Sequence, residues 1–403
     1  MSLLAYETSQ DMLDLLKVNS SRVENVALNA SLGRVLAKDV VAEFNDPQFP
    51  TASMDGYAVI HTDLESDGIK VLGDNPAGSD ETRVLQRGEC IKTFTGSRMP
   101  EGSDTLIQIE NVSVDGETIS IDESVAFGSS VRPIGEGYKS GDVLIKKGTK
   151  VGFAEIGVMA GLNHVMVSVA VRPRVAVIAT GSEILDLGVN STNPSQIRSS
   201  NNYTLAALFE QAGAEVIQLG TVGDDKDSIM EQFENALASA DILVSTGGVS
   251  VGDYDFVKDI VPRLGANVVY KGVAIKPGKH ILLAQRDEKF VVALPGFAYS
   301  STVTSILYVL PLISKMLGRE KSYVSVEAKL SEYFSKRSRL TEFTACNVVV
   351  EDGEYFVNFD GKKVGSSAIL TNLLNSSALM VTGAEDGNLE KGTFVNVILL
   401  ENF

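Results

Sequence analysis

Apolar positions fall into three kinds of pattern along this chain. Residues 8–32 read as helix, with Met12, Leu13, Leu15 and Leu16 on one face, and 35–41 then read as a strand. Short β runs follow at 70–72, 89–95, 104–109 and 118–121, then a hairpin pattern at 141–145 and 148–151 and a helix at 154–160. From residue 174 the grammar changes. Apolar runs at 174–179, 215–220, 241–246 and 290–294 each break into a turn, with helical patterns at 203–212, 227–238, 256–264 and, amphipathic in spacing, 299–317. Strands alternating with helices predict a mainly parallel sheet covered on both faces. Beyond 325, alternating segments at 347–350, 355–359 and 394–400, separated by Gly-bearing turns, predict an all-β end.

The turns of the central region carry the chemistry. Thr180-Gly-Ser-Glu183, Gly223-Asp-Asp225, Gly247-Gly-Val-Ser-Val-Gly-Asp-Tyr-Asp255 and Pro295-Gly296 all leave the carboxyl ends of strands, the edge where such sheets bind ligands. Glu183, Asp224, Asp225, Asp253 and Asp255 bring carboxylates, Lys276-Pro-Gly-Lys279 brings two ammonium groups, and Gly247, Gly248 and Ser250 bring a loop of bare backbone donors. That set suits a magnesium-bridged phosphate ligand of nucleotide type. Taken singly, Asp253 or Asp255 reads as a helix cap, Asp224-Asp225 as a solvated turn and Gly247-Gly248 as an ordinary turn; convergence on one edge favours the site. Two further loops have ligand-binding composition: 44–58, with exposure-prone Phe49, Met54 and Tyr57 around Asp55-Gly56, and Thr95-Gly-Ser-Arg-Met-Pro-Glu-Gly102.

A chain of 403 residues calls for about two to four domains. At 44% hydrophobic and 22% charged residues it has an ordinary soluble composition, with neither a membrane-length apolar run nor a signal-peptide layout, so the expected address is cytoplasm, with no membrane partner. Cys90 and Cys346 lie far apart and read as buried thiols, while His61, His164 and His280 are too scattered for a triad or metal cluster. A net charge of −17 argues against nucleic acid and requires local reversal for an anionic ligand, for which Lys276, Lys279 and the run Lys336-Arg-Ser-Arg339 are the candidates.

Several stretches, in order, resemble the MoeA family, the molybdopterin molybdenumtransferases related to the gephyrin E domain. They are Pro50-Thr-Ala-Ser-Met-Asp-Gly-Tyr-Ala58, Thr95-Gly96 with Pro100-Glu-Gly102, Thr180-Gly-Ser-Glu183, Gly223-Asp-Asp225, 245–255, Lys276-Pro-Gly-Lys279, Leu294-Pro-Gly296, Arg339-Leu-Thr-Glu-Phe343 and Gly365-Ser366. The resemblance covers nearly the whole chain and implies a multidomain α/β plus β protein. Its parts would be an N-terminal linker domain at 1–44 and 139–170, an inserted β-rich domain at 45–138, a central three-layer α/β/α MoCF (MogA-like) domain at 171–320 and a barrel-like β domain at 325–403. It further implies molybdenum cofactor biosynthesis: Mg²⁺-dependent release of AMP from adenylyl-molybdopterin and insertion of molybdate. The implied assembly is a homodimer whose site is shared between subunits, with a transient contact to the molybdopterin adenylyltransferase. Position by position, Asp55, Thr95, Glu183, Asp224 and Asp255 would be catalytic, with Glu183, Asp224 and Asp255 toward the metal; Gly247, Gly248, Ser250, Lys276, Lys279, Pro295, Arg339 and Ser366 would bind substrate. Which carboxylate ligates Mg²⁺ and which acts as base is not assigned by sequence.

The chain also departs from the family. Pro295-Gly-Phe-Ala298 stands where Pro-Gly-Asn-Pro is usual, His280 replaces a usual proline, and Ile197-Arg-Ser-Ser-Asn201 lacks the common acidic residue before its Asn, which leaves molybdate against tungstate open. A scaffold that has lost turnover, or another magnesium-dependent phosphoanhydride hydrolase, are the rival readings; the retained carboxylates and lysines argue against the first.

Overall fold

A computed structural model describes residues 3–20, 22–66, 68–79, 83–249, 256–320, 322–375 and 377–400. The chain forms two compact units, one of Met1–Lys38, Lys147–Ile156 and Val165–Phe403, the other of Asp39–Lys146 and Gly157–His164.

In the first unit a six-stranded sheet runs in the order Glu215–Val222, Arg174–Thr180, Ile242–Thr246, Lys289–Leu294, Leu282–Arg286, Asn267–Lys271. Its first four strands are parallel, Leu282–Arg286 runs antiparallel to them, and Asn267–Lys271 pairs antiparallel to Leu282–Arg286. The apolar runs lack polar alternation because both faces are covered. Val175, Val177 and Val244 pack with Leu205, Phe209, Val303 and Leu307 on one side, and Ala176, Ile178 and Leu243 with Ile229, Phe233, Val257 and Ile260 on the other. Each large side chain so buried contributes roughly 1.5–3 kcal/mol. Because the four strands are parallel, Thr180, Val222, Thr246 and Leu294 end on one edge, as the sequence predicts.

The C-terminal part of the same unit closes into a five-stranded barrel. Thr341–Glu351 pairs with Glu354–Asn358 and with Ser377–Thr382, and Val324–Leu330 and Phe394–Leu399 complete the ring around Leu330, Phe334, Cys346, Val357 and Met380. The short strand Ile275–Lys276 pairs in parallel with Thr341 and Glu342, which carries Lys276 onto the barrel. In the second unit another six-stranded sheet has the order Thr105–Gln108, Gly56–Val59, Glu89–Thr93, Ile69–Asn75, Thr118–Ile121, Val112–Asp115.

Local expectations fail where a distant partner competes. The helix expected over 8–32 spans only Tyr6–Leu15, because Val23–Ala27 pairs as a strand with Met166–Ala170. Residues 35–41 are no continuous strand: Val35 and Leu36 make single bridges to Lys150 and Val169, and Val40–Val41 pairs with Val143–Ile145. The expected hairpin of 141–145 with 148–151 is therefore absent, each arm being taken by an upstream segment. The last helical pattern runs through Ala298–Thr304, a π-helical turn Ser305–Val309 and Leu310–Met316. It is not amphipathic in place. Its residues from Tyr299 to Leu310 are buried all round, because barrel residues Phe343, Leu379 and Ile398 share its core on the side where solvent would otherwise be. Among the described residues no helix is long and apolar enough to cross a membrane.

Candidate functional site

The carboxyl edge of the central sheet opens into a cleft of about 760 Å³, lined by Thr180, Glu183, Asp224, Gly247, Gly248 and Pro295 among others. Each of these is a predicted site residue or flanks one. Gly247 follows the strand Ile242–Thr246 with φ +91°, and a Cβ there would sit 2.6 Å from the Thr180 carbonyl oxygen. Only glycine lets the loop turn this close to its neighbour. The Ser182 N–H donates to Asp224 Oδ2 at 3.0 Å and the Asp224 N–H to Ser182 Oγ at 3.1 Å, so the turns after two strands brace each other. Asp224 keeps its second oxygen, and the exposed Glu183 carboxylate accepts no hydrogen bond among the described residues. Asp225 faces elsewhere: it caps the helix Lys226–Ser239 through the Ser228 N–H at 2.8 Å, and its bonds to Ser228 hold its carboxyl below the ordinary range. The plain reading wins for that residue. Ser250, Asp253 and Asp255 lie outside the described residues.

The lysines divide between two places. Lys276 lines a separate, smaller pocket with Glu342, Ser366 and Tyr299, where its Nζ donates to Glu342 Oε1 at 3.2 Å and the Ser338 hydroxyl donates to the same oxygen at 2.5 Å. The pocket and the cleft adjoin along one loop of the barrel domain, which gives Ser366 to the first and Ala368 to the second and is tied to the central domain by Ser300 Oγ donating to the Ser367 carbonyl at 3.0 Å. Lys279 is exposed, one residue before His280, which lines the cleft. Arg339 is exposed beside Ser338 and lines neither cavity. The basic run 336–339 is not one anion site, since the Lys336 ammonium donates to the Gly383 carbonyl and closes a barrel loop. Glu342 is only 7% exposed, so removing its cation leaves a nearly buried carboxylate with the Ser338 hydroxyl alone. Lys276→Met is expected to destabilise by about 1–2 kcal/mol, and Lys276→Met with Glu342→Gln to recover most of it. Urea unfolding checks this; equal midpoints for wild type and Lys276→Met would make the pair energetically idle.

In the second unit, Asp55 and Thr95 meet across 40 positions of sequence. The Thr95 N–H and hydroxyl donate to one Asp55 oxygen at 2.8 and 2.7 Å. These bonds, the backbone one foremost, hold the Asp55 carboxyl below its ordinary value of 3.8. A depressed carboxyl contributes stability that is present above the unfolded-state value and lost as pH falls through the folded one, so Asp55 stays ionised at neutral pH with room to spare. Thr95→Val removes one donor and is expected to move the Asp55 titration part of the way back up, as read by carboxyl NMR; an unmoved midpoint would assign the shift to the backbone bond alone. Beside this pair Phe49 and Met54 are exposed as expected, but Tyr57 is buried in the strand Gly56–Val59.

Cys90 and Cys346 are fully buried, their thiols pushed up to about 12 by desolvation, and so are inert at neutral pH. Sequence reasoning did not single out Ser182, Ser338 or Glu342. Glu342 lay inside a recognised stretch, Arg339-Leu-Thr-Glu-Phe343, whose mixed polar and apolar residues gave no sign that its carboxylate is buried. Ser182 carried no signal of its own.

Two family models match the chain: the MoeA N-terminal region (domain I and II) over 4–162 and a probable molybdopterin binding domain over 176–315. A molybdopterin molybdenumtransferase of a Nostoc species is 34% identical over 389 residues, covering 94% of this chain and 88% of its own. That of Staphylococcus epidermidis is 29% identical over 385 residues, covering 94% and 91%. A molybdopterin biosynthesis MoeA protein from Pyrococcus horikoshii aligns in structure with a TM-score of 0.84 at 29% identity, over 99% of this chain and 100% of that one.

Proposed function

The chain belongs to the MoeA family of molybdopterin molybdenumtransferases, enzymes of molybdenum cofactor biosynthesis, and on that premise we propose that its cleft takes adenylyl-molybdopterin, releases AMP and admits molybdate, with Mg²⁺ as cofactor. The observation that carries the reading is the convergence of Glu183, Asp224 and the Gly247-Gly248 backbone on one cleft at the carboxyl edge of the sheet. The donors fit the metal. Mg²⁺ needs one or two carboxylates and takes its other oxygens from phosphate and water, and Asp224 offers an oxygen that Ser182 leaves unused. Glu183 and Asp224 would hold the ion, with Asp255 as the third candidate. Bound there, Mg²⁺ would supply positive charge to the phosphoanhydride oxygens.

This chain's own groups do the rest. The Gly247-Gly248 turn brings backbone close to anionic oxygens, although the Gly247 N–H itself donates to the Leu294 carbonyl at 3.1 Å, exposed Lys279 adds positive charge next to the cleft-lining His280, and Lys276 and Ser366 line the adjoining pocket. Asp55, kept ionised by Thr95, is proposed to serve the site of a second copy in a homodimer. A mixture of Asp55→Ala and Asp224→Ala chains, allowed to exchange subunits, is then expected to regain roughly a quarter of wild-type activity, because half the dimers are mixed and each mixed dimer has one intact site. Background activity after verified exchange would put Asp55 to work in its own chain.

The direct test incubates the protein with adenylyl-molybdopterin, molybdate and Mg²⁺ and measures AMP and finished cofactor together. AMP released from ATP but not from adenylyl-molybdopterin would instead make it another phosphoanhydride hydrolase.

A further inference from the structure

Phe297 is 64% exposed and lines the cleft, a large apolar ring left open to solvent. Its backbone is held from both sides. Asn201 Nδ2 donates to the Gly296 carbonyl at 2.8 Å, and the Phe297 carbonyl accepts the Ser301 N–H at 2.9 Å where the helix Ala298–Thr304 begins. Among the described residues no other ring and no cation covers the Phe297 face, whereas Phe49 is covered by Arg98, Phe256 by Lys226 and Phe394 by Lys329. Ile184, Ile197 and Val249 line the same cleft, and Ser199 in its wall has a buried hydroxyl with no partner.

We propose that Phe297 is a stacking platform for a flat heteroaromatic ring of the ligand, and so a specificity-determining residue of this chain. The ring rests on the reading above only for its source, purine or pterin; the platform itself rests on geometry. A ring on a fixed backbone loses little freedom when a ligand stacks on it, and the exposed apolar face leaves water in the same step. Stacking is tolerant of the ring's identity because every such base has a π-face, so discrimination between rings falls to the polar groups around it.

The chain has no tryptophan, so Phe297→Trp creates a protein with a single indole reporter. Adenylyl-molybdopterin is expected to quench it, and separate titrations with AMP and with neopterin identify the stacked ring as the one that quenches alone. By calorimetry, Phe297→Ala is expected to weaken binding of adenylyl-molybdopterin and of that compound about tenfold, with Phe297→Tyr within about twofold of wild type. The side chain is exposed, so an unchanged melting temperature verifies that folding is not the cause. If Phe297→Ala binds adenylyl-molybdopterin, AMP and neopterin all as wild type does, the platform is wrong even while AMP release continues. If binding weakens but the wild type releases no AMP, the platform stands and the reaction reading falls. Failure of all three compounds to bind wild type overturns both.

Discussion

Gly56→Ala is expected to destabilise the protein by about 3 kcal/mol or more and to abolish AMP release. Gly56 pairs with Gln108 on one side and Thr93 on the other, inside the second unit's sheet. A Cβ there would lie 2.1 Å from the Ile107 carbonyl oxygen and 2.7 Å from Leu106 Cδ2. A carbonyl oxygen of a paired strand cannot withdraw without breaking the ladder, so the strands must separate. Asp55 moves with them, since its own carbonyl accepts the Ile109 N–H at 3.2 Å and its carboxylate holds Thr95. Gly116→Ala is the control. Its Cβ would meet nothing within 4 Å, so only the strain of φ +57° is added, about 1 kcal/mol. Urea unfolding and an AMP assay on both variants decide the matter, and a Gly56→Ala protein that unfolds with the wild type would remove the close-approach argument.

For Glu183→Gln the expectation is the reverse combination, a loss of roughly a hundredfold or more in AMP release with the melting temperature unchanged. The Glu183 carboxylate is exposed and accepts no hydrogen bond among the described residues, so the fold does not depend on its charge. Gln keeps the shape and removes the charge that would hold Mg²⁺ or orient the attacking group, a contribution of about 3 kcal/mol to the barrier when lost. Raising Mg²⁺ should restore part of the rate if the residue is a ligand. Wild-type turnover by the variant would retire Glu183 from the site.

Asp225 shows how a motif can be legible while the role of its members is not. Gly223-Asp-Asp225 marks a turn at the sheet edge, but the structure gives Asp224 to Ser182 and the cleft, and Asp225 to the Ser228 N–H. Adjacent carboxylates in one turn point different ways, and direction is a backbone property that composition does not carry. Lys276 and Lys279 repeat the lesson: three residues apart, one is tied to Glu342 of the barrel and the other is exposed.

By itself, the sequence determined the central sheet, its helices and the edge where ligands go. Runs such as Arg174–Thr180 and Ile242–Thr246 are apolar on both faces, and a chain that alternates them with helices has one way to bury them. It also determined the membership of the family, through short stretches in a fixed order. Tertiary structure alone decided what depends on distant partners: that Val23–Ala27 leaves a helical pattern to pair with Met166–Ala170, that the helix from Ala298 is buried all round by a barrel, and that Asp55 meets Thr95. In the first two cases the local preference is worth a few tenths of a kcal/mol per residue, and the long-range contact that overrides it is worth more.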